Sequence, residues 1–504
     1  MSPRQRSSHR RASRRPPASG RKPTNRLTAR EITTSADELL VFQERFQDLF
    51  TRQEQRDWFR FFLCGQLSNV ERKTIEPMVL ALLGNDESVI RTAQHFLGQA
   101  PWETDPFLKR AQGLVADWLG EPDGVVTRSV DGSGFPKQGS HSAGVAPQYC
   151  GHVGKITNCQ EGAFELYVSR RGYAFLDKRL YLPERWFTAK YQKRWQACGI
   201  PDPLTFHTEP ELGLEMVTQL VQRAVVPFRW VTCDERYGEI PAFLDGIAAL
   251  GKWYFAEVAV DTRVWMHTPP VEPPGQGLLG APRKHPRVKR TAPRPYEMRE
   301  LVLQVSGAQW HRRMIKEGSK GPLVAEFACL RVTPIRDELP GERCWVIFRR
   351  TLGPQPEVKF FLSNAPRTCL LQEFVRVSGL RWPVETGLEE AKGEVGMDQY
   401  ETRTWLGWHH QLTLAILAHL FLVRLQLLFQ KKSRVDHSPS ASTHCTGHRR
   451  RPCEVARYAS DSALSPAPEL CRLLFAPQAD TCPTWPAPAQ APQMLNFVVI
   501  PYFS

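Results

Sequence analysis

Between Gly124 and Val260 the chain alternates short apolar runs with turn residues and helical segments, and this order restricts its fold more than any other feature. Val125-Val126-Thr127-Arg128-Ser129-Val130 reads as a strand that runs into the turn Asp131-Gly132-Ser133-Gly134. Lys155 to Gln160 and Ala163 to Ser169 read as two further strands, the second apolar and aromatic enough to be central. From Pro210 to Val225, Leu212, Met216, Leu220 and Val221 fall on one side of a helix. Pro227 to Cys233 is a short strand that ends at Asp234-Glu235-Arg236-Tyr237-Gly238. Ile240 to Leu250 is then helical, and Trp253 to Val260 is another strand. That succession predicts an α/β domain with its site at the carboxyl ends of the strands.

The flanking regions differ in texture. Residues 1–30 are rich in Arg, Ser and Pro and lack the apolar residues that offset ordering entropy, so a disordered basic arm is expected. Residues 31–120 read as a helical domain, with Leu39, Phe42, Phe46 and Phe50 at three-to-four spacing. Within it Ser68 followed by Glu71 resembles a capping box opening the next helix. Residues 121–265 form the first part of the α/β core, and 266–370 a linker and β-rich insertion with strands expected at Leu301–Val305, Ala325–Val332, Cys344–Arg350 and Val358–Leu362. Residues 371–430 complete the core, and 431–504 form a low-complexity or degraded tail.

Length and charge bear on partners. A chain of 504 residues is too long for one simple core, and roughly two to four domains are expected. Lys and Arg number 66 against 52 Asp and Glu, a net charge of +14, which favours a polyanionic partner such as nucleic acid. The twelve cysteines show no close-paired spacing, and a reducing cytoplasm with free thiols is the plain reading. His444, Cys445, His448 and Cys453 match no compact zinc finger. Leu412 to Phe429 approaches membrane length, but His419, Arg424 and Gln426 interrupt it, so a buried helix is expected and no membrane partner.

Three carboxylates stand out by context: Asp131 after one strand, Asp234 after another, and Glu385 at a helix start. Glu385 lies in Leu380-Arg381-Trp382-Pro383-Val384-Glu385-Thr386-Gly387-Leu388-Glu389-Glu390-Ala391-Lys392, where Pro383 suits a first helical turn and Glu385, Glu389 and Lys392 share a face. Sites at strand ends assemble from distant segments, and a carboxylate trio supplies the hard oxygen ligands that Mg²⁺ prefers.

With these blocks in order, the chain resembles the insertion-sequence transposases of the DDE superfamily, in the branch with a Tyr–Arg–Glu–Lys signature and a β-rich insertion. The matching stretches are Val130 to Gly139, Gln148-Tyr149-Cys150-Gly151, Gly154 to Gln160, Leu180 to Trp186, Asp234 to Gly238, Ser363-Asn364-Ala365-Pro366 and Arg381 to Tyr400. The resemblance covers roughly residues 35–430. It implies a ribonuclease H-like α/β core, interrupted by the β-rich insertion and preceded by an all-α N-terminal domain. It implies that Asp131, Asp234 and Glu385 hold two Mg²⁺ ions, with Mn²⁺ able to substitute. Arg381 and Lys392 would contact DNA phosphates near the scissile bond, with Lys137 and Lys155 as additional contacts. The activity implied is binding of terminal inverted repeats, cleavage at the element ends and joining of the 3′-hydroxyl to target DNA. The partners implied are double-stranded DNA and a second copy of the chain, in the bacterial cytoplasm at the nucleoid.

The sequence departs from that pattern in three places. Ser378 stands where the signature has Tyr, Gly132 stands where related sequences carry a second adjacent aspartate, and the tail lacks the expected Arg-rich element. A catalytically inactive DNA-binding remnant and a ribonuclease H-like nuclease acting on RNA–DNA hybrids are the rival readings.

Overall fold

In the central strands, side chains alternate between two apolar cores, as the two-residue period of a strand requires when both faces are covered. The computed structural model describes residues 29–84, 87–129, 134–151, 153–275, 283–318 and 321–435. Residues 1–28, 130–133 and 436–504, where the basic arm, the turn with Asp131 and Gly132, and the low-complexity tail with His444, Cys445, His448 and Cys453 are expected, lie outside the described residues.

Five helices come first: α1 Ala29–Glu44, α2 Gln53–Leu67, α3 Ile75–Leu82, α4 Glu87–Gly98 and α5 Asp105–Leu119. Phe46, Phe50, Phe59, Phe62, Phe96 and Phe107 are all buried there, and each such side chain contributes about 1.5–3 kcal/mol on removal from water. Ser68 does not open a helix. It is the C-cap of α2, its hydroxyl donating to the Gly65 carbonyl, and the next helix starts seven residues later, at Ile75 behind its N-cap Thr74.

Next come β1 Val125–Ser129, β2 Gly134–Pro136, β3 Ala146–Cys150, β4 Lys155–Ser169 and β5 Gly172–Tyr181. The two strands expected between Lys155 and Ser169 are one continuous strand, because Gly162 keeps β geometry and β1, β2, β3 and β5 all pair along it. The short helix α6 Gln192–Ala197 leads to α7 Glu209–Arg223, whose start is a full capping box of Thr208 and Glu211. Then follow β6 Trp230–Cys233, α8 Glu235–Gly238, α9 Pro241–Ala249 and β7 Trp253–Val258.

These strands lie in the order β5-β4-β1-β6-β7, with β4 antiparallel to β1 and with β1, β6 and β7 mutually parallel. Small strands β8 Arg263–Trp265, β9 Val271–Glu272, β10 Arg287–Val288 and β11 Tyr296–Glu297 precede helix α10 Met298–Leu301. A strand expected over Leu301–Val305 is therefore absent. Glu297 and Glu300 cap a helical turn there instead, and Leu303 is exposed.

The β-rich segment continues the same sheet: β12 His311–Gly318, β13 Gly321–Arg336, β14 Leu339–Pro340, β15 Cys344–Thr351 and β16 Val358–Ser363. Strand β16 pairs antiparallel with β7, then β15 with β16, and β13 with β15. The result is a large mixed sheet, the mixed α/β class expected from the sequence. On one face α11 Leu371–Gly379 packs Phe374, Val375 and Val377 against Trp230, Phe255 and Phe361. On the other, α12 Pro383–Val395 and α13 Trp405–Val435 join the same core as Val126, Val231, Ala256 and Leu362.

Helix α13 is long and apolar enough to cross a membrane by length and composition alone. Two-thirds of that stretch (67%) is buried inside the protein, where it packs on α2, α4, α5, α12 and β5. One of its contacts is polar: Lys178 of β5, 1% exposed, donates to His409 Nδ1 at 2.7 Å. Burial pushes the Lys178 ammonium down to about 7, and burial together with Lys178 pushes His409 well below its usual value. A lysine so depressed binds fewer protons when folded than when unfolded. Its contribution is complete above about 10.5 and is lost as pH falls through about 7. Denaturant melts across that window are expected to show stability rising with pH, by on the order of a few kcal/mol from this group. Lys178→Met is expected to flatten the rise.

Candidate active site

Strands β1, β6 and β7 point their carboxyl ends the same way, so the residues that follow them gather along one edge. Asp234 comes immediately after β6 and N-caps α8, its Oδ1 accepting from the Tyr237 N–H at 3.4 Å. Gly238 ends that turn against β7. A Cβ there would stand 1.9 Å from the Glu257 carbonyl oxygen, so only glycine lets α8 sit this close.

Cys233 pairs with Ala256, which sets Glu257 of β7 beside Asp234. The Glu257 carboxylate is 10% exposed, takes Lys359 Nζ at 2.8 Å on one oxygen and Arg381 at 3.4 Å on the other. That second oxygen accepts no hydrogen bond among the described residues. Arg381 also reaches Glu385 Oε1 at 4.0 Å, one turn along the chain into α12. Burial lowers the Arg349 guanidinium, with the Glu257 and Arg381 charges also acting on it. Glu257 and Glu385 thus share Arg381, with Lys359 and Arg349 beside them, and Asp234 follows the strand next to that of Glu257.

Helix α12 begins at Pro383, in the first turn as its fixed φ favours, and ends at Gly396 with φ +66°. It packs on β1, β5 and α13. Lys392, 8% exposed, donates to the Gly134 carbonyl at 3.2 Å and lies 5.0 Å from the centre of the Phe135 ring. This bond ties the helix carrying Glu385 to the residue three positions after Asp131. Asp131 itself lies outside the described residues.

The other expected phosphate contacts fall in different settings. Lys137 is turned inward, its Nζ on the Tyr400 carbonyl at 2.9 Å and 3.3 Å from the centre of that ring, and burial pushes it down to about 8. Lys155 is exposed at the start of β4. Trp382 is 58% exposed beside Arg381, and Ser378 donates to the Val375 carbonyl within α11.

Sequence reasoning passed over Glu257, Lys359 and Arg349. The available signal was an acidic residue inside the apolar run Trp253 to Val260, where a buried carboxylate requires a partner. Glu257→Gln leaves three cations without their shared counter-charge. A metal-dependent nicking assay is expected to read a loss of about tenfold to a hundredfold from misplacement of Arg381.

The donor set fits divalent metal ions. Asp234 and Glu385 offer hard carboxylate oxygens, while Glu257 holds Lys359 and Arg381 as cations suited to a phosphate backbone.

The chain belongs to the DDE superfamily endonucleases, whose family model matches residues 45–322. It is similar to the probable transposase for insertion sequence element IS701 of Microchaete diplosiphon, 24% identical over 357 residues that cover 70% of this chain and 79% of the relative. Divalent-metal chemistry comes with the superfamily. Among solved structures, a piggyBac transposase synaptic complex with hairpin DNA matches with a TM-score of 0.31 and 12% identity, over 85% of this chain and 77% of that one. The NurA nuclease of Sulfolobus solfataricus matches with a TM-score of 0.24 and 10% identity, over 66% and 92%.

Proposed function

We propose that this DDE superfamily member is an insertion-sequence transposase that binds terminal inverted repeats, cleaves at the element ends, and joins the freed 3′-hydroxyl to target DNA. The observation that carries this reading is the pairing of Glu257 and Glu385 with the shared Arg381, next to the carboxyl end of the parallel strand that Asp234 follows. The strand order β5-β4-β1-β6-β7 supports a ribonuclease H-like core, extended by the β-rich segment and preceded by the helices of residues 31–120 as the repeat-binding domain. Residues 121–265 and 371–430 then make up the core, with 266–370 as the insertion.

Asp131, Asp234 and Glu385 are assigned to hold two Mg²⁺ ions, or Mn²⁺ in their place. When bound, such ions activate the attacking oxygen and stabilise the leaving one in an in-line displacement. The chain's own side chains do the positioning. Arg381, held by Glu257, keeps its guanidinium at the mouth of the site and one edge free for a phosphate oxygen. Lys392 pins Gly134 and so fixes the helix of Glu385 relative to the segment that carries Asp131. Lys155 faces solvent, where it is suited to a more distant phosphate. Two element ends must be brought together, so a homodimer on DNA is the working assembly, in the bacterial cytoplasm at the nucleoid.

Mn²⁺ titration of the full chain tests the metal assignment. Binding that is weakened at least tenfold by Asp131→Ala and by Asp234→Ala supports it. Binding that neither substitution changes contradicts it and favours the inactive remnant to which Gly132 points.

A further inference from the structure

A second set of ligating atoms lies where β2 and β3 pair with β4. Cys150 ends β3, and Cys159 and Glu161 lie two residues apart on β4. Their Sγ, Sγ and carboxylate oxygen atoms all fall within 4.8 Å of one another. Both cysteines are fully buried and in the thiol form, while Glu161 is half-buried.

Three observations point to an ion rather than to ordinary packing. The Cys159 thiol donates to Glu161 Oε1 at 3.6 Å, and an ion that displaces that proton would keep the same separation. A thiolate and a carboxylate on one tetrahedral zinc, with bonds of about 2.3 and about 2.1 Å, span an edge of about 3.6 Å. Secondly, the backbone is cut away in front of the cluster. A Cβ on Gly134 would sit 2.5 Å from Cys150 Sγ and 2.7 Å from Glu161 Oε1, so a glycine is what leaves this cradle open. Thirdly, the charges close. Two thiolates, one carboxylate and a dication sum to one negative charge, and the Lys392 ammonium on the Gly134 carbonyl supplies the positive one.

We propose that Cys150, Cys159 and Glu161 bind one soft divalent cation of the zinc class, with the fourth position taken by water or by the second oxygen of Glu161. Thiolate donors separate this site from the catalytic one, whose oxygen donors suit Mg²⁺. Ion binding releases the two thiol protons to solvent and involves no change of oxidation state. Its effect is a clasp: it fixes Gly134 against β3 and β4, three residues beyond Asp131 and at the anchor point of Lys392.

The test uses the full chain, purified reduced, loaded with Zn²⁺, dialysed against a weak chelator and analysed for metal. About one zinc per chain is expected, lost in Cys150→Ser and Cys159→Ser and kept in Cys369→Ser, a thiol elsewhere in the fold. Glu161→Gln keeps both thiols and is expected to weaken zinc at least about tenfold. Co²⁺ substitution of the unmutated chain gives a readout that needs no variant to fold. A thiolate-to-metal charge-transfer band with intense tetrahedral ligand-field bands supports the site. Zinc content no higher than in the double Cys150→Ser/Cys159→Ser chain overturns it, as does a Cys150–Cys159 disulfide that forms in place of metal binding.

Discussion

Glu385→Gln is expected to lower metal-dependent end cleavage by about a thousandfold, because one lost ligand removes several kcal/mol of charge stabilisation in the transition state. Binding to inverted-repeat duplex, read by gel shift at fixed salt, is expected to stay within about threefold, since most affinity comes from phosphate contacts spread over the basic surface. The thermal midpoint should barely move. Glu385 is partly exposed in the first turn of α12, and the helix is held by buried Val384, Leu388, Ala391 and Val395. Glutamine keeps the size and loses the charge, so an activity loss without a stability loss separates a metal-holding role from a packing role. A variant that cleaves within tenfold of the parent chain contradicts the assignment.

The second large effect is on stability. Arg128 of β1 is 2% exposed and lies beneath the turn that carries Asp234. It donates to the Glu209 carbonyl at 3.0 Å, lies 4.8 Å from the centre of the Tyr237 ring, and faces the fully buried Glu165 at 3.7 Å. Arg128→Ala empties a buried site, removes the cation that Glu165 faces and takes the donor from the Glu209 carbonyl, and is expected to cost about 3–5 kcal/mol in denaturant melts. Arg128→Met with Glu165→Met removes both charges and is expected to recover most of that loss. A single variant that loses less than about 1 kcal/mol contradicts the role.

The pair also has a pH signature. Burial pushes the Glu165 carboxyl up to about 8, against the pull of Arg128. A raised acid binds more protons folded than unfolded. Its contribution is therefore complete below about 4.5 and is lost as pH rises through about 8, and Glu165→Gln should flatten that fall. The slope is opposite in sign to that of Lys178, whose window opens near 7.

Much of the architecture was legible because periodicity reports burial. The strand at Val125 and the helix at Pro210 were readable from local pattern, and so was the burial of the apolar segment from Leu412. Each has its apolar residues at the spacing of its own element. The errors share a different cause. Leu301 to Val305 has the composition of a strand, but Glu297 and Glu300 close a capping box that a β-branched count does not register. Ser68 and Glu71 have the spacing of a cap, yet the Ser68 hydroxyl bonds backwards to Gly65.

The site was legible in its residue types and opaque in its wiring. Asp234 and Glu385 announce themselves as acids at a strand end and a helix start. That Glu257 holds Arg381, or that Lys137 and Lys392 turn inward to Tyr400 and Gly134, follows from pairings across about one hundred and twenty to two hundred and sixty residues. No local pattern encodes such contacts.

Metal-dependent chemistry of this chain on element ends is read directly by a single assay. The purified full chain is incubated with duplex carrying the element's own inverted repeats and flanking DNA, with Mg²⁺ or Mn²⁺ and a supercoiled target. The expected result is cleavage at the repeat boundary that leaves a 3′-hydroxyl, followed by joined products, with both abolished by chelation and by Glu385→Gln. Repeat binding with no metal-dependent cleavage, or digestion of RNA–DNA hybrid in preference to the repeat duplex, would contradict it.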